Sequence, residues 1–167
     1  MHTAADRRDA AIVSLAAVIV LIASVMPWAK VPGPSLGTLF PGPSIGSGFP
    51  GPLSGLQFHI TLNAWNGNLR LFGVEWPHSL VVLIAVVLTI LVWLKALGHW
   101  TAPRGLLLGL AGYGLFHMLW FVAGVATVGT IGIGALLSAA AFVGVLIVLK
   151  QGFHRAGAVP PPTDASI

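Results

Sequence analysis

The side chain best placed to do chemistry in this 167-residue chain is a histidine inside an apolar run, "GLLLGLAGYGLFHMLWFVAGV", Gly105 to Val125. That residue is His117, with Tyr113 four positions before it and Trp120 three after. Helical geometry puts positions three and four apart on one face, so the three form a stripe. Gly109 and Gly124 flank that stripe. A polar, titratable group at membrane depth is a functional hypothesis by default. A neutral imidazole could ligate the metal of haem or chlorophyll, with glycines admitting the macrocycle, or help hold a quinone. A small polar ligand is a further reading. On the structural alternative, His117 hydrogen-bonds a neighbouring helix, Tyr113 caps the network, and no cofactor is expected. A single mid-span histidine does not make a bis-histidine haem site. His59 and His78 read as lying outside the membrane and His99 inside it, so no metal site is expected.

Two further exclusions narrow the chemistry. The chain has no cysteine, so disulfides, thiolate metal sites and a cysteine nucleophile are ruled out. It carries no phosphate loop, no HExxH and no GxSxG, and no acidic residue within an apolar run that could relay protons or cations. No catalytic residues are assigned, and an enzyme is not expected. With few spans and no visible inverted repeat, a secondary transporter is not expected either.

The elements that would position the stripe follow from composition. Hydrophobic residues make up 56% of the chain and charged residues only 7%. Ordinary soluble domains carry about 25% charged residues, so this chain lacks the polar surface of one. The apolar residues gather in blocks at 10–29, 77–97, 105–125 and 130–150. A helix needs about 20 such residues to cross a bilayer, so each block reads as a span. The expected fold is all-α, a four-transmembrane-helix bundle. Residues 1–9 are read as a cytoplasmic N-terminal tail, 10–150 as the membrane domain and 151–167 as a disordered cytoplasmic tail.

Basic residues give an orientation. Arg7, Arg8, Lys95, Arg104, Lys150 and Arg155 fall on one side of a four-pass threading, and only Lys30 and Arg70 on the other. The positive-inside rule then places both termini in the cytoplasm and segment 30–76 outside it. Basic side chains scattered at segment ends argue topology rather than nucleic-acid binding. Trp28 and Trp76 read as outer interfacial anchors, and Trp93 and Trp100 as inner ones. Cleavage of the first block as a signal peptide is the alternative threading, but "SVMPWAK" is a poor cleavage site.

The outer segment has two parts. Pro-Gly-Pro recurs at Pro32, Pro41 and Pro50, nine residues apart. Proline lacks an N–H and glycine permits turns, so the repeat is expected to form neither helix nor central strand, but a stiff strap over the helix ends or a docking surface. "LQFHITLN" then alternates apolar and polar, and "WNGN" follows it. Alternation predicts a half-buried strand, and Asn66-Gly67 a tight turn. A hairpin over 56–74 is expected, pairing Leu62 with Leu71 and Ala64 with Leu69. The short link 126–129 makes the last two helices antiparallel neighbours. Small residues four apart, Gly105/Gly109, Gly134/Ser138 and Ala140/Gly144, predict close helix packing or dimerisation. His117 and Ser138 fall at about the same depth from that link, near 12 Å at 1.5 Å per residue, so Ser138 is the expected polar partner of His117.

The layout of span, long outer segment with strands, span, inner link and tight helical pair resembles the claudin-like tetraspan plan. The resemblance covers most of the chain and implies a four-helix bundle. The claudin Gly-Leu-Trp signature reads Gly55-Leu56-Gln57 here and its cysteine pair is missing, so no claudin activity is implied. The chain also resembles small bacterial membrane proteins whose first helix ends in Pro-Trp before a glycine-rich loop. Two functions stay open. One is a non-catalytic accessory or scaffold subunit in the cytoplasmic (inner) membrane, meeting the lipid bilayer and a membrane-protein partner or a second copy through its outer segment. The other is a protein binding a lipophilic cofactor at Tyr113, His117 and Trp120.

Overall fold

A computed structural model describes residues 4–35, 57–66, 68–71, 74–101 and 103–157. Among the described residues, four helices are long and apolar enough to cross a membrane. They are α1 (Ala4–Val25), α2 (Ser79–Ala96), α3 (Arg104–Ala126) and α4 (Ile133–Gly157). Helix α1 packs on α2 and α4, and α3 packs on α2 and α4, closing a ring of four. Buried Val13, Val20, Leu88, Leu107, Met118 and Phe142 fill the space between them. The outward faces are also apolar: Leu15, Leu83, Ile90, Leu119 and Ile147 are all exposed.

Helix ends depart from the expected ones for local reasons. Helix α1 starts at Ala4, inside the expected tail, and stops at Val25, because Pro27 disfavours helical geometry in the residue before it. Pro77 closes a strand, and α2 begins at Ser79. Helix α4 starts only at Ile133, since Thr130–Ile131 are drawn into a strand, and it continues to Gly157, into the expected tail. The last two helices are packed neighbours, as the short link requires.

Short strands gather at one end of the bundle. Strands β1 (Ala29–Ser35), β2 (Gln57–Leu62) and β5 (Thr130–Ile131) form a sheet in the order β2-β1-β5. Strands β3 (Asn68–Leu71) and β4 (Val74–Pro77) form a separate antiparallel pair. The expected 56–74 hairpin is thus corrected. Its two strands exist, but β2 pairs with β1, Ala29 facing Leu62 and Val31 facing Ile60, while Leu69 pairs with Trp76 and Leu71 with Val74. The turn chemistry explains the change. Asn63 Oδ1 accepts from the backbone N–H of Trp65 (2.8 Å) and of Asn66 (3.1 Å). Asn66 Oδ1 accepts from Asn63 N–H (2.7 Å), and Asn66 Nδ2 donates to Thr61 O (3.0 Å). The two asparagines lock a local turn directly after β2.

The proline-rich segment is corrected in part. Pro32 and Pro34 lie within β1, the middle strand of its sheet. Strand β5 reaches only Ala29 and Lys30, so β1 has a neighbour on one side alone at its prolines, which is where a sheet tolerates them. The register breaks between Pro32 and Ser35. The repeats at Pro41 and Pro50 fall outside the described residues.

Candidate functional site

Trp28 is the pivot between the strands and the helices. It was expected at the membrane interface, yet it is fully buried. Pro27 frees the end of α1, and Trp28 returns into the bundle to cap it. The indole Nε1 donates to Ala23 O (2.7 Å), a carbonyl in the last turn of α1 that also accepts from Met26 N–H (3.2 Å). Trp28 N–H donates to Leu62 O, and Trp28 O accepts from Gly132 N–H, each at 2.7 Å. Ala64 N–H donates to Ser24 O (3.2 Å), and Gly134 N–H to Pro27 O (3.1 Å). The end of α1, both flanking strands and the start of α4 are therefore joined at one residue and its neighbours. Gly134 is required by contact: a Cβ there would lie 2.6 Å from Trp28 Cδ1.

Beneath Trp28 lies a pair of imidazoles. His78 and His117 are both buried, and His78 Nδ1 is 3.3 Å from His117 Nε2. The rings meet edge to face at 5.6 Å between centroids. Trp28 packs on His78 and on Phe121, at 5.7 Å each, and Phe121 packs on His78 at 4.7 Å. His117 thus faces the bundle interior, as its polarity requires. His78 was read as lying outside. It precedes the first residue of α2, but Trp28 and the strands close over that position, so it becomes the second buried imidazole that the sequence reading lacked.

The expected stripe divides. Tyr113 stays beside His117, with ring centroids 6.3 Å apart. Trp120 does not join it: it is exposed on the outside of the bundle and stacks with Phe116 at 6.0 Å. Three residues advance a helix by about 300°, so His117 and Trp120 lie about 60° apart, enough to separate inside from outside at the edge of a packed face. A Cβ added at Gly109 or Gly124 would meet nothing within 4 Å. Gly114, on the inner face of α3, is the glycine that matters here: a Cβ there would collide with the ring of Phe142.

Ser138 is fully buried, but its hydroxyl makes no hydrogen bond, and His117 Nδ1 has no partner either. The expected bond between them is not formed, although the antiparallel packing brings their level together. The Gly114–Phe142 contact lies one turn to one side of Ser138, and the Gly134–Trp28 contact one turn to the other. Buried polar atoms in native proteins are nearly always paired, so two orphans at one level mark the place where this core is polar by design.

This geometry decides what the pair can do. His117 Nε2 is turned to His78 Nδ1, and His117 Nδ1 is the nitrogen that no group in the described residues engages. Aromatic rings pack on the pair from its strand side, and Phe142 is buried on the other. Among the described residues no three His, Asp or Glu side chains come together to hold a metal ion. The centre of the site is a hydrogen-bonded imidazole pair with Trp28, Phe121 and Tyr113 as its ring neighbours. Comparison with known proteins found no family model, no curated protein and no solved structure matching this chain.

Proposed function

We propose that the chain is a multi-pass protein of the cytoplasmic membrane. Its four helices span the bilayer, both termini lie in the cytoplasm, and its strands form an extracytoplasmic cap. The apolar outward faces support insertion, because a soluble fold would leave Leu15, Ile22, Leu83, Ile90, Leu119 and Ile147 in water. The charge split supports the orientation: Arg7, Arg8, Lys95, Arg104 and Lys150 belong to the end opposite the strands.

The role we propose is that of a non-catalytic accessory or scaffold subunit that uses the cap as its contact surface. One observation carries this reading. Trp65 is 60% exposed on the cap, yet its indole Nε1 is fixed on Ser24 Oγ (3.1 Å). A rigidly presented tryptophan is the type of group that anchors interfaces, because its large area is offered at little entropic cost. Ile60, also exposed, lies on β2 nearby in the cap. Purification in mild detergent tests the reading. A membrane-protein partner should accompany the wild-type chain in fixed ratio and be lost from the Trp65→Ser and Ile60→Asp variants. Equal recovery of the same partner with both variants, or a chain that is always alone, contradicts it.

A further inference from the structure

The buried imidazole pair has a consequence that neither packing nor the accessory role requires. Two neutral imidazoles share one hydrogen bond: the N–H of one donates and the bare nitrogen of the other accepts. Whichever ring donates, His117 Nδ1 is left enclosed and without a partner. An additional proton on the pair goes to an outer nitrogen and gives the pair a positive charge. The cage offers Trp28, Phe121 and Tyr113 as ring neighbours, and Ser138 Oγ at the same level.

The titratable and charged groups on the elements around the pair are few. Tyr113 is on α3, Lys30 on β1, His59 on β2, and Arg70 and Glu75 on β3 and β4. Lys30 and His59 are exposed. The four helices carry their charged groups, Asp6, Arg7, Arg8, Asp9, Lys95, Arg104, Lys150, His154 and Arg155, at the opposite end. That end is also cut off from the pair. Leu88, Met118 and Phe142 are buried below it, and a cavity of about 10 Å³ whose wall includes Val13, Val20, Leu88, Phe142 and Val145 has no polar lining. A proton therefore reaches the pair from the strand end, where Trp76 and Pro77 are exposed just before His78.

We propose that the His78–His117 pair is an acid-responsive latch for the strand cap, read from the face of the membrane on which the cap lies. The neutral pair fits the closed cage. The protonated pair brings a charge into an apolar enclosure, which is costly without a counter-charge. The ring that must yield is Trp28, whose backbone holds β2 and β5 in place. The sign follows from linkage: the opened state, with the His78 ring in water rather than buried, binds the proton more readily, so acid favours opening and rising pH favours closure. The latch stands whether or not the cap binds a partner subunit.

Hydrogen exchange on the full-length protein in lipid nanodiscs tests it, between about pH 8 and about pH 4.5, with rates corrected for intrinsic pH dependence. The reporters are the amides of Trp28, Ala64 and Gly132, which make the bonds that tie the cap down. Their corrected exchange should accelerate by roughly tenfold or more in acid, while amides in the middle of α2 stay unchanged. The His78→Gln/His117→Gln variant should lose the acceleration, and His59→Gln should keep it. Flat corrected rates in the wild-type protein overturn the proposal on their own. An acid response that survives the double substitution, or that disappears with His59→Gln, overturns it equally.

Discussion

At the strand end of the bundle, the chain crosses itself repeatedly. Trp28 spends its indole N–H and both backbone groups on α1, on β2 and on Gly132, the residue between β5 and α4. The polar groups there, His78, His117, Ser24 and Ser138, are buried among rings and helices. At the opposite end, Asp6, Asp9 and Lys95 line a cavity of about 20 Å³ together with Val92, Ala96, Leu107, Leu149 and Gly152. Polar groups at that end are charged and border water, and among the described residues no strand covers them. The contrast has a physical lesson. A helix end that reaches water can leave its last carbonyls to the solvent, whereas one roofed by strands must find every partner inside the protein. Specific structure therefore concentrates at the strand end, and substitutions there should cost more.

The largest effect is expected at Trp28. Trp28→Ala removes the pivot ring and leaves a cavity, at a cost of about 3–5 kcal/mol. In detergent, the variant should melt at markedly lower temperature and expose β1 and β2 to protease, while the other end of α1 stays protected. Gly114→Val tests the floor of the histidine cage. The added branch displaces Phe142 and should cost about 1–3 kcal/mol by denaturant titration. Gly109→Ala is its control on the same helix. A Cβ at Gly109 meets nothing, so the change should be neutral or stabilising by less than about 1 kcal/mol.

His117→Leu sharpens the comparison further. It leaves His78 Nδ1 buried without its partner, at a cost of about 1–3 kcal/mol. Removing both imidazoles together should cost less than the sum of the single changes, because no orphan remains. A double-mutant cycle measures this directly, and strict additivity would show that the 3.3 Å contact carries no energy. The smallest effect is expected at Lys150, which is exposed at the charged end. Lys150→Gln should shift stability by less than about 0.5 kcal/mol in the same titration.

How much of this was legible beforehand varies with the range of the forces involved. The helices were readable because each needs only a continuous apolar run, a local property of the sequence. The strand at Gln57–Leu62 was readable from its alternation, but its partner was not. Alternation fixes which side chains share a face, while the choice between β1 and β3 depends on where α1 delivers the chain after Pro27. The asparagines of "NAWNGN" carried a usable signal, since Asn63 and Asn66 are spaced to lock each other's turn. The inward orientation of His117 followed from its polarity alone. His78 was missed because its depth is created by other segments: Trp28, Phe121 and the strands build the wall around it. Trp28 itself was misread because a tryptophan beside a span end matches an interfacial anchor, and only the return of the chain over α1 makes it a core residue. Trp120 was misplaced because the angular width of the buried face of α3 is set by its neighbours.

The threading is the claim on which the remaining proposals rest, and accessibility to a membrane-impermeant thiol reagent tests it most directly. The native chain has no cysteine, so each introduced thiol reports alone. In intact cells, Ser47→Cys, in the segment between β1 and β2, should react, and Ser166→Cys, near the C-terminus, should react only after the membrane is opened. Reaction of Ser166→Cys in intact cells, with Ser47→Cys protected until lysis, would contradict the four-span orientation.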